Sequence, residues 1–322
     1  MSHSPASISI DLDNQWAYLK TQGLPGWESF PSYLDMVLPR ILETLRRSGL
    51  RATFFVVGKD AALEKNHTAL RSIAEAWHEI ANHSFLHEPW LHLYSQEELQ
   101  ADFHQSEAAI FHATGTQPRG FRGPGFSTST AVRAMLIERG YIYDASLFPT
   151  VIGAFARQYF FMTSKLPAEE KKRRSKLYGS LADALSPLTP YQIQPGLLEI
   201  PVTTMPVFRT PVHLSYLLFL GQFSMLLAHA YWSMFILLCR VTGVGPSLLL
   251  HPTDFLDGQD VPEMSFFPAM KTPAEKKIAL VRHTLSTLRE HWLPGTMLDH
   301  AAKSGTNIER PLRSTTALKN SI

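Results

Sequence analysis

Residues 52–58 read Ala-Thr-Phe-Phe-Val-Val-Gly, an apolar run of aromatic and β-branched residues closed by a glycine. A run this short and this apolar suits a strand buried on both faces. Working outward from it, residues 33–48 carry Leu34, Val37, Leu38, Ile41 and Leu45 at helical spacing and are followed by Gly49. Further upstream, residues 6–12 read as a strand that ends in acids. Downstream, 63–77 read as helix, 79–82 as a short strand and 97–113 as helix. A strand end at Phe121, a helix over 129–139 and a strand over 141–143 continue the alternation. Repeated strand–helix units predict a parallel sheet or barrel with helices outside.

The alternation breaks after Pro149. Residues 150 to about 195 are richer in charge and include Lys-Lys-Arg-Arg-Ser-Lys at 171–176. Strand character returns at 198–202, and 247–250 read as a last buried strand ending at His251. Residues 276–292 read as helix. The organisation expected is one barrel over 1–302, with an inserted helical and apolar region at about 150–245 and a flexible tail over 303–322. The chain has 322 residues, 45% hydrophobic and 18% charged, with a net charge of +2, which excludes a disordered or collagen-like chain and gives no overall pull toward nucleic acid. Its single cysteine, Cys239, excludes an intrachain disulfide and a four-cysteine zinc site. No basic and apolar leader pattern opens the sequence, so a cytoplasmic location is expected.

Residues 211–239 contain no Lys, Arg, Asp or Glu. That is long enough to span a bilayer. The stretch nevertheless holds His213, Gln222 and His229 and lies between segments that must share one barrel. Two shorter helices, split near Gly221 or Ala230, are expected. They would cover the barrel, form a homo-oligomer contact, or lie on a membrane surface, where the basic run at 171–176 would draw anionic lipid.

Three short motifs carry chemistry, each at an expected strand end. Asp11-Leu12-Asp13 places two carboxylates on one side of an extended chain, and alone also fits a solvated acidic turn. His83-Ser84-Phe85-Leu86-His87 brings two imidazoles to one face if the segment turns helically. With a carboxylate they make a three-ligand metal site with room for water, although two unrelated surface histidines fit as well. Gly120-Phe121-Arg122-Gly123-Pro124-Gly125-Phe126 reads as a fixed loop able to aim a guanidinium at a carboxylate, or as a plain turn. His251 closes Leu248-Leu249-Leu250, where a polar ring needs a reason.

The order of these pieces resembles the polysaccharide deacetylase family, the NodB-homology group of carbohydrate esterase family 4. Asp-x-Asp follows a first strand, then come ATFFVVG, His-x3-His, Arg-x-Pro and a late Leu-x-x-His. The spaced acids, where the family commonly has adjacent ones, look like a branch with deacetylase-like and ring-opening amidohydrolase-like members. Gly125 stands before the aromatic Phe126, and no tryptophan-bearing acidic motif is evident near Asp144. The resemblance implies a distorted TIM-like (β/α)7 barrel.

It also implies that Asp13, His83 and His87 ligate one divalent metal, most often zinc, with cobalt, nickel or iron suiting the same donors. Asp11 would be the general base, Arg122 its partner, and His251 the acid that protonates a leaving amine. The implied reaction is hydrolysis of an amide C–N bond in an N-acylated or lipid-linked sugar. A small cyclic or ureido amide is the rival substrate, and a catalytically silent membrane-associated binding protein the rival role. Trp16, Trp90 and Phe126 flank the motifs as candidate substrate contacts. Asn14 is placed to support Asp13, and Glu199 is a charge inside a strand pattern whose partner the sequence leaves open.

Overall fold

The computed structural model describes residues 4–151 and 183–304. The basic run at 171–176 and residues 305–322 of the expected tail lie outside the described residues.

Seven parallel strands form a ring. They are β1 (Pro5–Asp11), β2 (Thr53–Val56), β3 (Glu79–Asn82), β4 (Gly120–Phe121), β5 (Tyr143–Asp144), β7 (Leu197–Glu199) and β8 (Ser247–Leu250), in the order β7-β5-β4-β3-β2-β1-β8. Strand β6 (Tyr191–Gln194) pairs antiparallel with β7, and β9 (Leu293–Gly295) pairs parallel with the start of β1. Between β7 and β8 there is no ladder. The chain after β7 bridges to β8 instead, with Thr203 N–H donating to Ser247 O (3.0 Å) and Ser247 N–H to Thr203 Oγ1 (2.8 Å). This is the expected distorted (β/α)7 barrel.

Alternation along β1 explains how the ring is filled. Ile8 and Ile10 point to the outer helices and join the main core with Phe54, Leu38, Leu285 and Trp232. Ser7, Ser9 and Asp11 point inward, where Ser9 meets Arg122 and Ser7 meets His300. The helices follow the sequence signals: α1 (Gln15–Gln22), α2 (Leu34–Ser48), α3 (Gly58–Ala61), α4 (His67–Glu75), α5 (Gln96–Thr114), α6 (Thr130–Glu138), α7 (Leu214–Phe223), α8 (Met225–Thr242), α9 (Ala274–His291) and α10 (Met297–Lys303). Helix α2 buries the five apolar residues of its stripe and stops at Gly49, whose φ of 63° a side chain would resist. Helix α5 starts in a capping box between Ser95 and Glu98. Helix α10 closes the N-terminal end of the ring, donating Met297 N–H to Thr53 Oγ1 and Leu298 N–H to Glu79.

Within the region 150–245, β7 is a ring strand, paired parallel with β5. The apolar stretch does form two helices, but the break falls at Ser224, whose hydroxyl caps α8. Helix α8 is long and apolar enough to cross a membrane by length and composition. Both ends of the α7–α8 hairpin return to strands of one ring, and Ala228, Trp232, Phe235, Ile236 and Cys239 are buried in its core.

Candidate metal centre and active site

Asp11 ends β1, His83 follows β3, Arg122 follows β4 and His251 follows β8. All four therefore gather at the C-terminal rim of the ring, where parallel barrels expose the ends of several strands to one pocket. Asp13 lies two residues beyond β1. Its carbonyl accepts from the Tyr33 hydroxyl (2.5 Å), and the next residue, Asn14, caps α1 and donates to Asp60 (2.7 Å). Asn14 thus fixes the backbone around Asp13 rather than its carboxylate.

The Asp13 Oδ1 atom lies 2.9 Å from His87 Nε2 and 3.4 Å from His83 Nε2. One ligand atom from each of the three residues lies within 4.8 Å of the others, a group able to hold a metal ion. His83 Nδ1 sits 2.6 Å from the carbonyl of Arg122. As the N–H donor there, Nδ1 leaves the Nε2 lone pair directed at the Asp13 carboxylate, the arrangement that orients metal-binding imidazoles. Asp13 Oδ1 is buried and takes no well-aligned hydrogen bond among the described residues. An orphaned carboxylate oxygen facing two imidazole nitrogens fits a divalent cation.

The charges agree. Burial works against the Asp13 carboxylate, but the charge of His87 overrides it and holds Asp13 well below the usual carboxylate range. Burial likewise works against protonated His87, and Asp13 more than reverses it, raising the imidazole.

The two histidines do not meet through a helical turn. Residues 83–90 form a loop in which Ser84 (φ 65°) and His87 (φ 54°) take left-handed backbone conformations. Tertiary bonds impose this. Gly58 and Lys59 N–H groups donate to the carbonyls of Ser84 and Phe85, both at 2.8 Å. Asp102 on α5 accepts from the Ser84 hydroxyl and the Phe85 N–H, both at 3.0 Å. A side chain on Gly58 would lie 2.7 Å from the backbone of Ser106, so only glycine lets α3 approach α5 this closely.

Arg122 is fully buried inside the ring. Its guanidinium donates to Asp11 Oδ1 (2.5 Å), Ser9 Oγ (3.1 Å) and Ala145 O (3.0 Å), and stands 4.2 Å over the Phe55 ring. The expected Arg122–Asp11 pair is thus present. The loop after it is rigid, because a Cβ on Gly123 would stand 1.9 Å from Ser127 O.

His251 is half-buried. Its Nδ1 lies 3.2 Å from the Ser215 hydroxyl, which donates to Asp254 Oδ1 (2.8 Å), while Asp254 Oδ2 accepts the His251 N–H (2.8 Å). Burial pushes the Asp254 carboxyl up against the pull of His251. Sequence reasoning missed both partners. The signal for Asp254 is its place three residues after His251, the spacing of a capping box. Ser215 sits in an apolar helix, where nothing in the sequence marks it. Tyr18 was also missed. Burial, then the Asp13 charge, keeps its phenol protonated well above the ordinary range.

The aromatic expectations divide. Trp16 is fully buried and its indole N–H donates to Asp60 (3.0 Å), so it cannot stack on a substrate; the indole needed a buried acceptor and Asp60 supplies it. Trp90 is half-buried at the start of a short turn at Leu91–Leu93. Phe126 is half-buried and stacks on Phe148 at 4.9 Å. Asp144 bonds Ser146 and Thr128 beneath the rim, and Glu199 is fully buried, accepting the Leu147 N–H (3.0 Å). Burial, with Asp144 nearby, raises the Glu199 carboxyl well above its ordinary value.

Residues 27–143 match the family model for polysaccharide deacetylase. A peptidoglycan deacetylase of Helicobacter pylori is 28% identical over 148 residues, which is 44% of this chain and 48% of that protein. The peptidoglycan deacetylase-like protein FGM2 of Gibberella zeae is 26% identical over 176 residues, 54% of this chain and 48% of that protein. The chain thus spans about half the length of these curated relatives. The crystal structure of a polysaccharide deacetylase from Mycobacterium smegmatis superposes with a TM-score of 0.60 at 20% identity, covering 94% of this chain and 90% of that one, which is a likeness of fold.

Proposed function

We propose that the chain is a polysaccharide deacetylase-like, metal-dependent hydrolase that removes the acyl group from an N-acylated sugar, a reading supported by the family match over residues 27–143. The observation that carries this reading is the convergence of Asp13, His83 and His87 beside Asp11 and His251 at one rim. The names of the relatives, peptidoglycan deacetylases, point to an N-acetylated glycan or a sugar of that kind.

Asp13, His83 and His87 would hold one divalent metal, zinc being the favoured ion. Bound there, the metal supplies Lewis acidity toward an acyl oxygen and toward a water. Asp11 receives the proton of the attacking water on its carboxylate. Arg122 fixes the direction of that carboxylate through its guanidinium bond to Oδ1. His251 delivers a proton to the departing amine nitrogen, because an amide expels its amine only as the neutral base. The chain of bonds from Nδ1 through Ser215 to Asp254 orients the ring and leaves Nε2 as the nitrogen that would deliver the proton.

The test is metal analysis of the purified protein together with amine release from a panel of N-acetylated sugars and cyclic amides. A stoichiometric divalent metal and amine release from the sugars are expected. Amine release from cyclic amides alone would replace the sugar reading, and a metal-free, inert protein would end it.

A further inference from the structure

Among the described residues only two lysine or arginine side chains are fully buried, Arg122 and Lys277. Arg122 serves the proposed base. Lys277, on α9, lies behind the turn that follows β8, and its ammonium donates to the carbonyls of Thr253 (2.7 Å) and Ala269 (2.9 Å). Three carboxylates act on it by charge, those of Asp254, Asp257 and Asp260. Two of them are engaged elsewhere: Asp257 accepts the Ala274 N–H at the start of α9 (2.8 Å), and Asp260 takes both terminal nitrogens of Arg40. Asp254 is the third, and it follows the residue whose carbonyl Lys277 holds. Burial pushes the ammonium down to about 8, against the pull of Asp254, so it stays protonated at neutral pH. A buried cation is costly, and an apolar side chain of similar length would fill the space without that cost. What the cation adds is a fixed position for the Thr253 carbonyl and a positive charge beside Asp254.

Asp254 in turn touches His251 twice. Its Oδ2 accepts the His251 N–H (2.8 Å), and its Oδ1 accepts the Ser215 hydroxyl (2.8 Å), whose oxygen lies 3.2 Å from His251 Nδ1. Ser215 has one hydroxyl hydrogen and an ionised carboxylate can only accept, so that hydrogen points to Asp254. Ser215 therefore turns a lone pair to His251. Nδ1 must be the donor, which leaves the lone pair of the neutral ring on Nε2. Burial works against an ionised Asp254, whereas His251, Ser215 and Lys277 favour it. We propose that Lys277 is a positioning residue for the acid: it fixes the Thr253 carbonyl and the charge of Asp254, and through Asp254 and Ser215 it holds His251 in the Nδ1–H form, with Nε2 free to carry a proton to the amine. The inference rests on the deacetylase reading of the rim. A lysine that only stapled the 252–254 turn to the 268–271 turn would affect every substrate alike and leave the tautomer of His251 untouched.

The experiment compares Lys277→Met, similar in length and uncharged, with the wild type. Two substrates are used: an N-acetylglucosamine oligomer, whose amine must be protonated to leave, and para-nitrophenyl acetate, whose phenolate leaves unaided. The substitution should lower kcat for the amide about 10- to 100-fold, with KM and metal content unchanged, and should spare the ester to within about twofold. Nitrogen NMR of protein labelled in its histidine rings, with His251→Gln identifying the signals, reads the tautomer without any turnover. In alkaline buffer the wild type should show the Nδ1–H form, and Lys277→Met should move toward Nε2–H. If the methionine variant does not fold, Lys277→Gln, which keeps one donor and loses the charge, takes its place with the same expectations. An equal fall for amide and ester, an unchanged amide rate, or one tautomer common to both proteins overturns the proposal. So does an Nε2–H form in the wild type, a result that needs no variant. A tautomer that follows Lys277 while no substrate releases amine supports the link and removes the deacetylase reading instead.

Discussion

Arg122 serves two neighbours with two parts of itself. Its guanidinium holds Asp11, and its carbonyl holds the ring of His83. The proposed base and a proposed ligand are therefore registered to each other through one residue. If the ligand set is right, His83→Ala should strip most of the metal from the purified protein, whereas His78→Ala, at a half-buried imidazole that meets the Ala52 N–H, should leave it in place. Equal metal content in the two, read by elemental analysis, would reject the set. Asp11→Asn keeps the size and loses the basic oxygen. It should retain metal and lower kcat by about 10²–10⁴-fold, the usual range for a lost general base. A rate near wild type would mean another group takes the proton. At this scale the sequence spoke clearly where a residue type was anomalous for its setting, as with Arg122 between glycines or His251 after three leucines. It misled at Trp16, because exposure is a tertiary property that adjacency to Asp13 does not determine.

Elements show the same division. Strands 79–82 and 247–250 are legible to the residue, Ile80 and Ala81 being bracketed by Glu79 and Asn82, and Leu248–Leu250 by Ser247 and His251. Spacing alone brings His83 and His87 together only if their segment turns helically; instead Asp102 and the amides after β2 bend it into left-handed turns. No local pattern could reveal that, because the bonds come from residues 17 to 26 positions away. The loop after β4 folds back closely on itself at Gly123. Gly123→Ala would drive a methyl into the Ser127 carbonyl, and overpacking of this sort costs about 1–3 kcal/mol. A lower urea midpoint and reduced turnover are expected together, since Arg122 shifts with its neighbour. An unchanged midpoint would show that the 123–127 turn yields freely.

For the molecule as a whole, pH acts through groups far from the rim. Burial, with Lys303 adding, pushes the His300 imidazole down to about 4, where it meets Ser7 beneath the barrel. Its folded pKa lies below the unfolded value of about 6.5. Its contribution is therefore complete above pH 6.5 and is lost as pH falls toward 4, to a total of about 3 kcal/mol. His300→Gln should be less sensitive over that window, so its stability deficit at pH 7 should shrink by pH 4.5 in urea titrations; parallel curves would place the acid sensitivity elsewhere. The barrel class was legible from the strand–helix rhythm, but how it closes was not, because β7 and β8 are joined by side-chain and single backbone bonds rather than by a ladder. Mechanically the barrel is a split ring. His83 and Arg122 follow β3 and β4 on the arc opposite the cut, Asp11 and Asp13 lie at the end of β1, one strand from it, and His251 follows β8 at the cut itself, which the α7–α8 hairpin bridges. A connection placed at a cut can be lengthened or exchanged without re-registering the strands that carry the ligands. The clasp can therefore change in length while the ligand-bearing strands keep their register, provided that Ser215 keeps its bond to His251.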